Sequence, residues 1–196
     1  MRPGPERGSA LKSALDVHRA LLGRDVPHEV VRLRTRVLSA DDLPRVLQLE
    51  TGCVAVHCYL VERDTGPAFA AVLVPAGRVA SPAALLDALD ARSVRPAGPE
   101  QVNARTDYAA GLVSPVCLPA DVELLADSAL GASDVCYCAL GEGGVALGIR
   151  TRDLLTTTGA RVAPLTDVPV VSVDDELPDP YPVDVRQRSA ATRQQR

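Results

Sequence analysis

The sequence predicts an α/β chain of the α+β type: a mixed, partly barrel-like β-sheet with helices at its periphery. Three observations carry this. Strand-length apolar segments are mixed with helical ones, without the regular strand–helix–strand alternation of a doubly wound fold. Aromatic residues make up 3% of the chain and Trp is absent, so aliphatic side chains must fill the core. At 196 residues the chain has room for one domain with a substantial interior, and no internal repeat divides it.

The elements follow in order. Residues 1–9 are polar and rich in Pro and Gly, and are expected to be disordered. Ser9 or Ser13 opens a helix through Leu22 with an apolar face of Leu11, Leu15, Val17, Leu21 and Leu22, and Gly23 stops it. His18 is expected at the surface. Val26–Val37 alternates strictly: Val31, Leu33 and Val37 point one way, and Arg32, Arg34 and Arg36 the other. Ser39 caps a short helix over Asp41–Leu47, whose first-turn acids suit the positive end of the helix dipole. Val54–Glu62 and Ala68–Val74 flank Asp64-Thr65-Gly66 and read as a hairpin. Pro82 stands in the first turn of a helix ending near Ala91, Val94 lies on an extended piece, and Pro99–Thr106 is helical. Strands are expected at Val122–Leu125, Val135–Leu140, Val145–Arg150 and Arg161–Leu165. A helix capped by Thr151 and stopped by Gly159 precedes the last of these. The folded domain is expected over residues 10–167, with a flexible, charged, Pro-rich tail over 168–196.

Composition excludes several classes. A net charge of −4 opposes coating of nucleic acid by the overall field and speaks against a DNA partner, while a local basic stripe still suits one RNA end. No apolar run approaches a membrane span, and the basic N-terminus lacks the apolar stretch of a secretory signal, so the expected location is the cytoplasm, with no membrane partner. The five cysteines are odd in number and form no C-x-x-C, which argues against a disulfide framework and against a metal site. Lys12 is the only lysine, so lysine chemistry in the core requires that Lys12 reach it.

The stretch Asp107–Pro119, D-Y-A-A-G-L-V-S-P-V-C-L-P, stands between a helix and a strand. Gly111 permits unusual backbone angles, and Pro115 restrains both itself and Ser114. Such a segment suits outward-facing amides that meet a polar or anionic group; an ordinary connecting loop is the plain alternative.

Order and motifs together resemble the YbaK/EbsC family, aminoacyl-tRNA deacylases related to the editing insertion of bacterial prolyl-tRNA synthetases. Three stretches carry the resemblance: V-A-V-H-C-Y-L-V (Val54–Val61) followed by Ala70–Val79; A-G-L-V-S-P-V-C-L-P (Ala110–Pro119) with its G-x-x-x-P; and Gly141–Ala160. The resemblance implies hydrolysis of the ester joining a small mischarged amino acid, of the Ala or Cys class, to the 3′-terminal adenosine of tRNA, with tRNA(Pro) the expected carrier. It implies the aminoacyl-tRNA 3′ end as partner, an aminoacyl-tRNA synthetase as a further one, and no metal or organic cofactor. Where the family carries a strand lysine, an early tyrosine and an acid after the glycine loop, this chain is read as having Val56, His28 and Ala146.

The expected site therefore rests on Gly111, Ser114 and Pro115, with His57 or His28 giving polar assistance. Leu112, Val113, Cys117, Val56, Gly141, Gly143 and Gly144 are expected around the substrate, and Arg32, Arg34 and Arg36 on tRNA phosphates. Loss of the lysine and the acid leaves a second reading open, a non-catalytic module of the same fold that binds an aminoacyl-tRNA end, an amino-acid-like ligand or a protein.

Overall fold

The computed structural model describes residues 11–166; the expected disordered N-terminus and charged tail lie outside the described residues. Within them eight strands form one mixed sheet in the order β1-β7-β6-β2-β3-β5-β8, with β4 paired to β2 off this path. The strands are β1 (His28–Arg32), β2 (Cys53–Arg63), β3 (Gly66–Pro75), β4 (Ser93–Pro96), β5 (Val122–Asp127), β6 (Val135–Ala139), β7 (Val145–Arg150) and β8 (Arg161–Ala163). The helices are α1 (Ala14–Leu22), α2 (Leu43–Leu47), α3 (Pro82–Leu89), α4 (Pro99–Thr106) and α5 (Thr151–Thr158).

The β2–β3 hairpin is the centre. Arg63 pairs with Gly66 across a two-residue loop, and antiparallel pairing runs back to Val54 and Pro75. Its register sends Val54, Val56 and Cys58 to one face of β2, and Ala55, His57 and Tyr59 to the other. β3 is buried from Phe69 through Val74, as a strand covered on both faces should be. One core cluster packs Val54, Val56 and Leu73 against Val17 and Leu21 of α1, Val102 of α4 and Leu154 of α5. The other packs Ala55, Val72 and Val74 against Leu43 of α2 and Leu85 and Leu89 of α3. Fully burying one such Leu contributes about 1.5–3 kcal/mol. The sheet is thus lined by helices on both faces, and its hydrogen-bonded path is open, with β1 and β8 at its edges.

The expected strand over Val26–Val37 is corrected. β1 ends at Arg32 because its partner β7 begins at Val145 and is preceded by the Gly141–Gly144 turn. The chain follows that turn instead of extending: the Leu33 amide donates to Gly144 O and the Val37 amide to Gly143 O. Leu33 and Val37 pack on a core cluster, Val31 is half-buried, and all three arginines are exposed, but Arg34 and Arg36 lie beyond the end of the strand and not on its face. The Ser128–Ala132 3-10 turn, opened by Asp127 accepting from the Ala129 amide, had no counterpart in the sequence reading. Thr151 is the first helical residue of α5 and not its cap; its hydroxyl donates to Ser133 O.

Candidate functional site

Asp107 ends α4 in the left-handed region (φ 59°), and the chain then runs through Gly111 (φ 82°) and Cys117 (φ 62°) before β5. Gly111 meets two demands that exclude a side chain. Its φ disfavours L-residues, and a Cβ there would stand 2.6 Å from Leu38 O. The loop is tied on several sides: Ala40 N–H donates to Gly111 O, Gly141 N–H to Leu112 O, and Leu112 N–H to Ala109 O. The Tyr108 hydroxyl, fully buried, donates to Val116 O at 2.6 Å. Ser114 is enclosed, and its Oγ accepts from the Val116 amide, so it braces the turn beside buried Pro115.

Against this, the amides of Gly111, Val113 and Ser114 donate to no acceptor among the described residues. Buried amides are nearly always paired, and leaving one unpaired costs about 1–3 kcal/mol. Gly111 is exposed, whereas Leu112, Val113 and Ser114 are buried, so the free donors begin at the surface and lead inward.

The segment that lies against Gly111 leads to Asp41, and the side chain paired with Asp41 is His57. Its Nε2 lies 3.3 Å from Asp41 Oδ2, and Asp41 Oδ1 accepts from the Gly77 amide at 2.9 Å. Ser39 Oγ donates to the same carboxylate, and the Ser39–Ala40 backbone lies against Gly111. Burial pushes the Asp41 carboxyl up, but hydrogen bonds from His57 and Gly77, the His57 charge and Ser39 outweigh it and hold the group below its ordinary value. The other ring nitrogen of His57, Nδ1, meets no partner among the described residues. Sequence reading placed Asp41 only as a helix-start acid; its pairing with His57 bridges the start of α2 and the middle of β2, which no local pattern records.

The remaining expected residues are placed as follows. Val56 is buried in the core cluster that holds Val113 and Val116, on the face of β2 opposite His57. Ala146 is fully buried. His28 is engaged at both ring nitrogens: Nδ1 is 2.7 Å from Val26 O, and Nε2 is 2.8 Å from His18 Nδ1. His18, expected at the surface, is half-buried in this pair. A Cβ on Gly143 would overlap Val37 O, and one on Gly141 would stand 2.5 Å from Lys12 O. Protein backbone occupies both approaches; Gly144 is open. Pro115, Val116 and Cys117, at the far end of the same loop, line a cavity of about 230 Å³ with Arg24, Thr157 and Thr158, whose lining includes neither Gly111 nor His57.

The other thiols are buried, with burial pushing Cys53 and Cys58 up to about 12 and Cys136 to about 11, so they stay protonated. Among the described residues no three His, Cys, Asp or Glu side chains are grouped to hold a metal ion, and no helix is long and apolar enough to cross a membrane.

Residues 37–157 match the family model described as an aminoacyl-tRNA editing domain. No curated protein sequence gave a significant match. Several solved structures share the fold, among them the following two. The hypothetical protein APE2540 superposes with a TM-score of 0.68 at 22% identity, covering 77% of this chain and 99% of its own. A protein described as a candidate trans-editing enzyme for prolyl tRNA synthetase superposes with a TM-score of 0.66 at 23% identity, covering 84% of this chain and 100% of its own.

Proposed function

Because the chain belongs to the aminoacyl-tRNA editing domain family, we propose that it hydrolyses a mischarged aminoacyl-tRNA in trans, releasing a small amino acid of the Ala or Cys class, with tRNA(Pro) as carrier. The observation that carries this reading is the set of unpartnered amides at Gly111, Val113 and Ser114, in a loop braced on its other sides.

In the proposed reaction, water attacks the ester carbonyl carbon and gives a proton to His57 Nδ1. The carbonyl oxygen becomes an oxyanion, which takes hydrogen bonds from the loop amides, beginning with exposed Gly111. Fixed donors aimed at developing charge are worth about 10²–10³ in rate each. Collapse of the tetrahedral intermediate breaks the carbon–oxygen bond to the ribose, and the ribose oxygen takes the proton back. One ester and one water yield one amino acid and one free 3′ end. Asp41 orients His57 and stabilises its charged form. Arg32, Arg34 and Arg36, all exposed, meet phosphates of the acceptor end. An aminoacyl-tRNA synthetase is the partner that would deliver this substrate.

The binding-module reading draws support from the burial of Val56 and Ala146 among apolar residues. A panel of mischarged tRNAs separates the two. Hydrolysis is expected for Ala- or Cys-tRNA(Pro), with release of free amino acid above buffer. A panel left intact by a protein that still binds an uncleavable aminoacyl-adenosine would establish the binding module instead.

A further inference from the structure

Lys12, the only lysine of the chain, stands just before α1. Its Nζ is 2.8 Å from Cys117 O, 3.2 Å from Thr106 O and 3.2 Å from Asp107 Oδ2. An ammonium has three N–H donors, and three oxygens meet it here. None is left over for a substrate. The Lys12 amide also donates to Asp107 O at 2.6 Å, and the Tyr108 ring centre lies 5.4 Å from Nζ. Nearby, the Ala14 amide donates to Glu142 Oε1, which docks the start of α1 on the Gly141–Gly144 turn.

What Lys12 grips is both ends of the loop that carries Gly111. Asp107 and Cys117 are the loop's two non-glycine residues in the left-handed region, and such angles persist only where the surroundings hold them. We infer that Lys12 is a positioning residue for the reaction. It clamps Asp107 to Cys117, and so holds the Gly111, Val113 and Ser114 amides where the oxyanion forms. This role rests on the reading of that loop as the reaction centre. Lys12 thus acts on the protein's own carbonyl and carboxylate oxygens and touches no reacting atom.

Hydrogen exchange and deacylation are measured together on the full chain carrying Lys12→Met and, separately, Asp107→Asn. In Lys12→Met, exchange across residues 107–117 is expected to speed by about tenfold or more, with β2 and β3 still protected. The deacylation rate at saturating substrate is expected to fall by about tenfold to a hundredfold with KM within about twofold. Asp107→Asn, which takes the negative charge from one of the three acceptors and leaves the lysine, is expected to show the same pattern at smaller size; it carries the test if Lys12→Met does not fold. Unchanged loop exchange in both variants overturns the inference whatever the activity. So does an acceleration spread evenly over the whole domain. A wild-type chain inert on every aminoacyl-tRNA, with loop exchange still accelerated in the variants, removes the functional reading and the catalytic part of this inference together, leaving a structural clamp.

Discussion

The described residues contain two histidine settings, built differently. His57 sits mid-strand on β2 with a carboxylate at one nitrogen, on a segment whose backbone touches Gly111. His28 sits on edge strand β1, with a carbonyl at one nitrogen and the His18 imidazole at the other. In the first, a fixed charge fixes the ring and leaves one nitrogen to take a proton. In the second, both nitrogens of His28 are already occupied, and nothing ties the ring to the Gly111 loop. The chemistry of an imidazole is decided by what takes its second nitrogen.

The largest effect tests what both settings are compared against, the loop itself. Gly111→Ala places a Cβ against Leu38 O and strains φ, so deacylation is expected to fall at least about a hundredfold, measured as single-turnover release of amino acid. The next sharpens the comparison directly. His57→Ala is expected to lower the rate by about 10²-fold, and His28→Ala by no more than about threefold while costing about 1 kcal/mol in urea unfolding. Equal losses in the two variants would collapse the distinction.

A pH measurement isolates Asp41. Its folded carboxyl titrates below the ordinary value of 3.8. Its contribution to stability is therefore complete above the unfolded value and is lost as pH falls through the lower folded one. Asp41→Asn is expected to flatten part of the acid limb of stability below about pH 5, seen in denaturation midpoints, while Asp16 and Glu123, shifted the same way, keep the rest of it. The smallest effect belongs to the arginines. Arg34→Ala with Arg36→Ala is expected to raise KM a few-fold at low salt and to reduce its salt dependence, leaving the saturated rate unchanged.

Much of the fold was legible because it is locally encoded. The β2–β3 hairpin follows from two apolar runs about a Gly turn, and α4 from a helical segment opened by Pro99. The error at Val26–Val37 has the same origin: alternation continues past Arg32, but the strand stops where the partner strand turns away at Gly144. The site was half legible. Gly111 and Pro115 announce a shaped loop, and Gly111 proved to need its missing side chain. His57–Asp41, His18–His28 and the Lys12 clamp all join residues from different elements, and Lys12 reaches across more than ninety positions to Thr106. No periodicity or spacing reports contacts of that kind.

The most direct test of the amide site is a ¹H–¹⁵N titration with an uncleavable 3′-aminoacyl-adenosine. The account predicts the largest amide shifts at Gly111, Val113 and Ser114, smaller ones near His57, and none at His18 or His28. Shifts confined to Arg24, Cys117 and Thr158, with Gly111 unmoved, would place the ligand in the other cavity and contradict it.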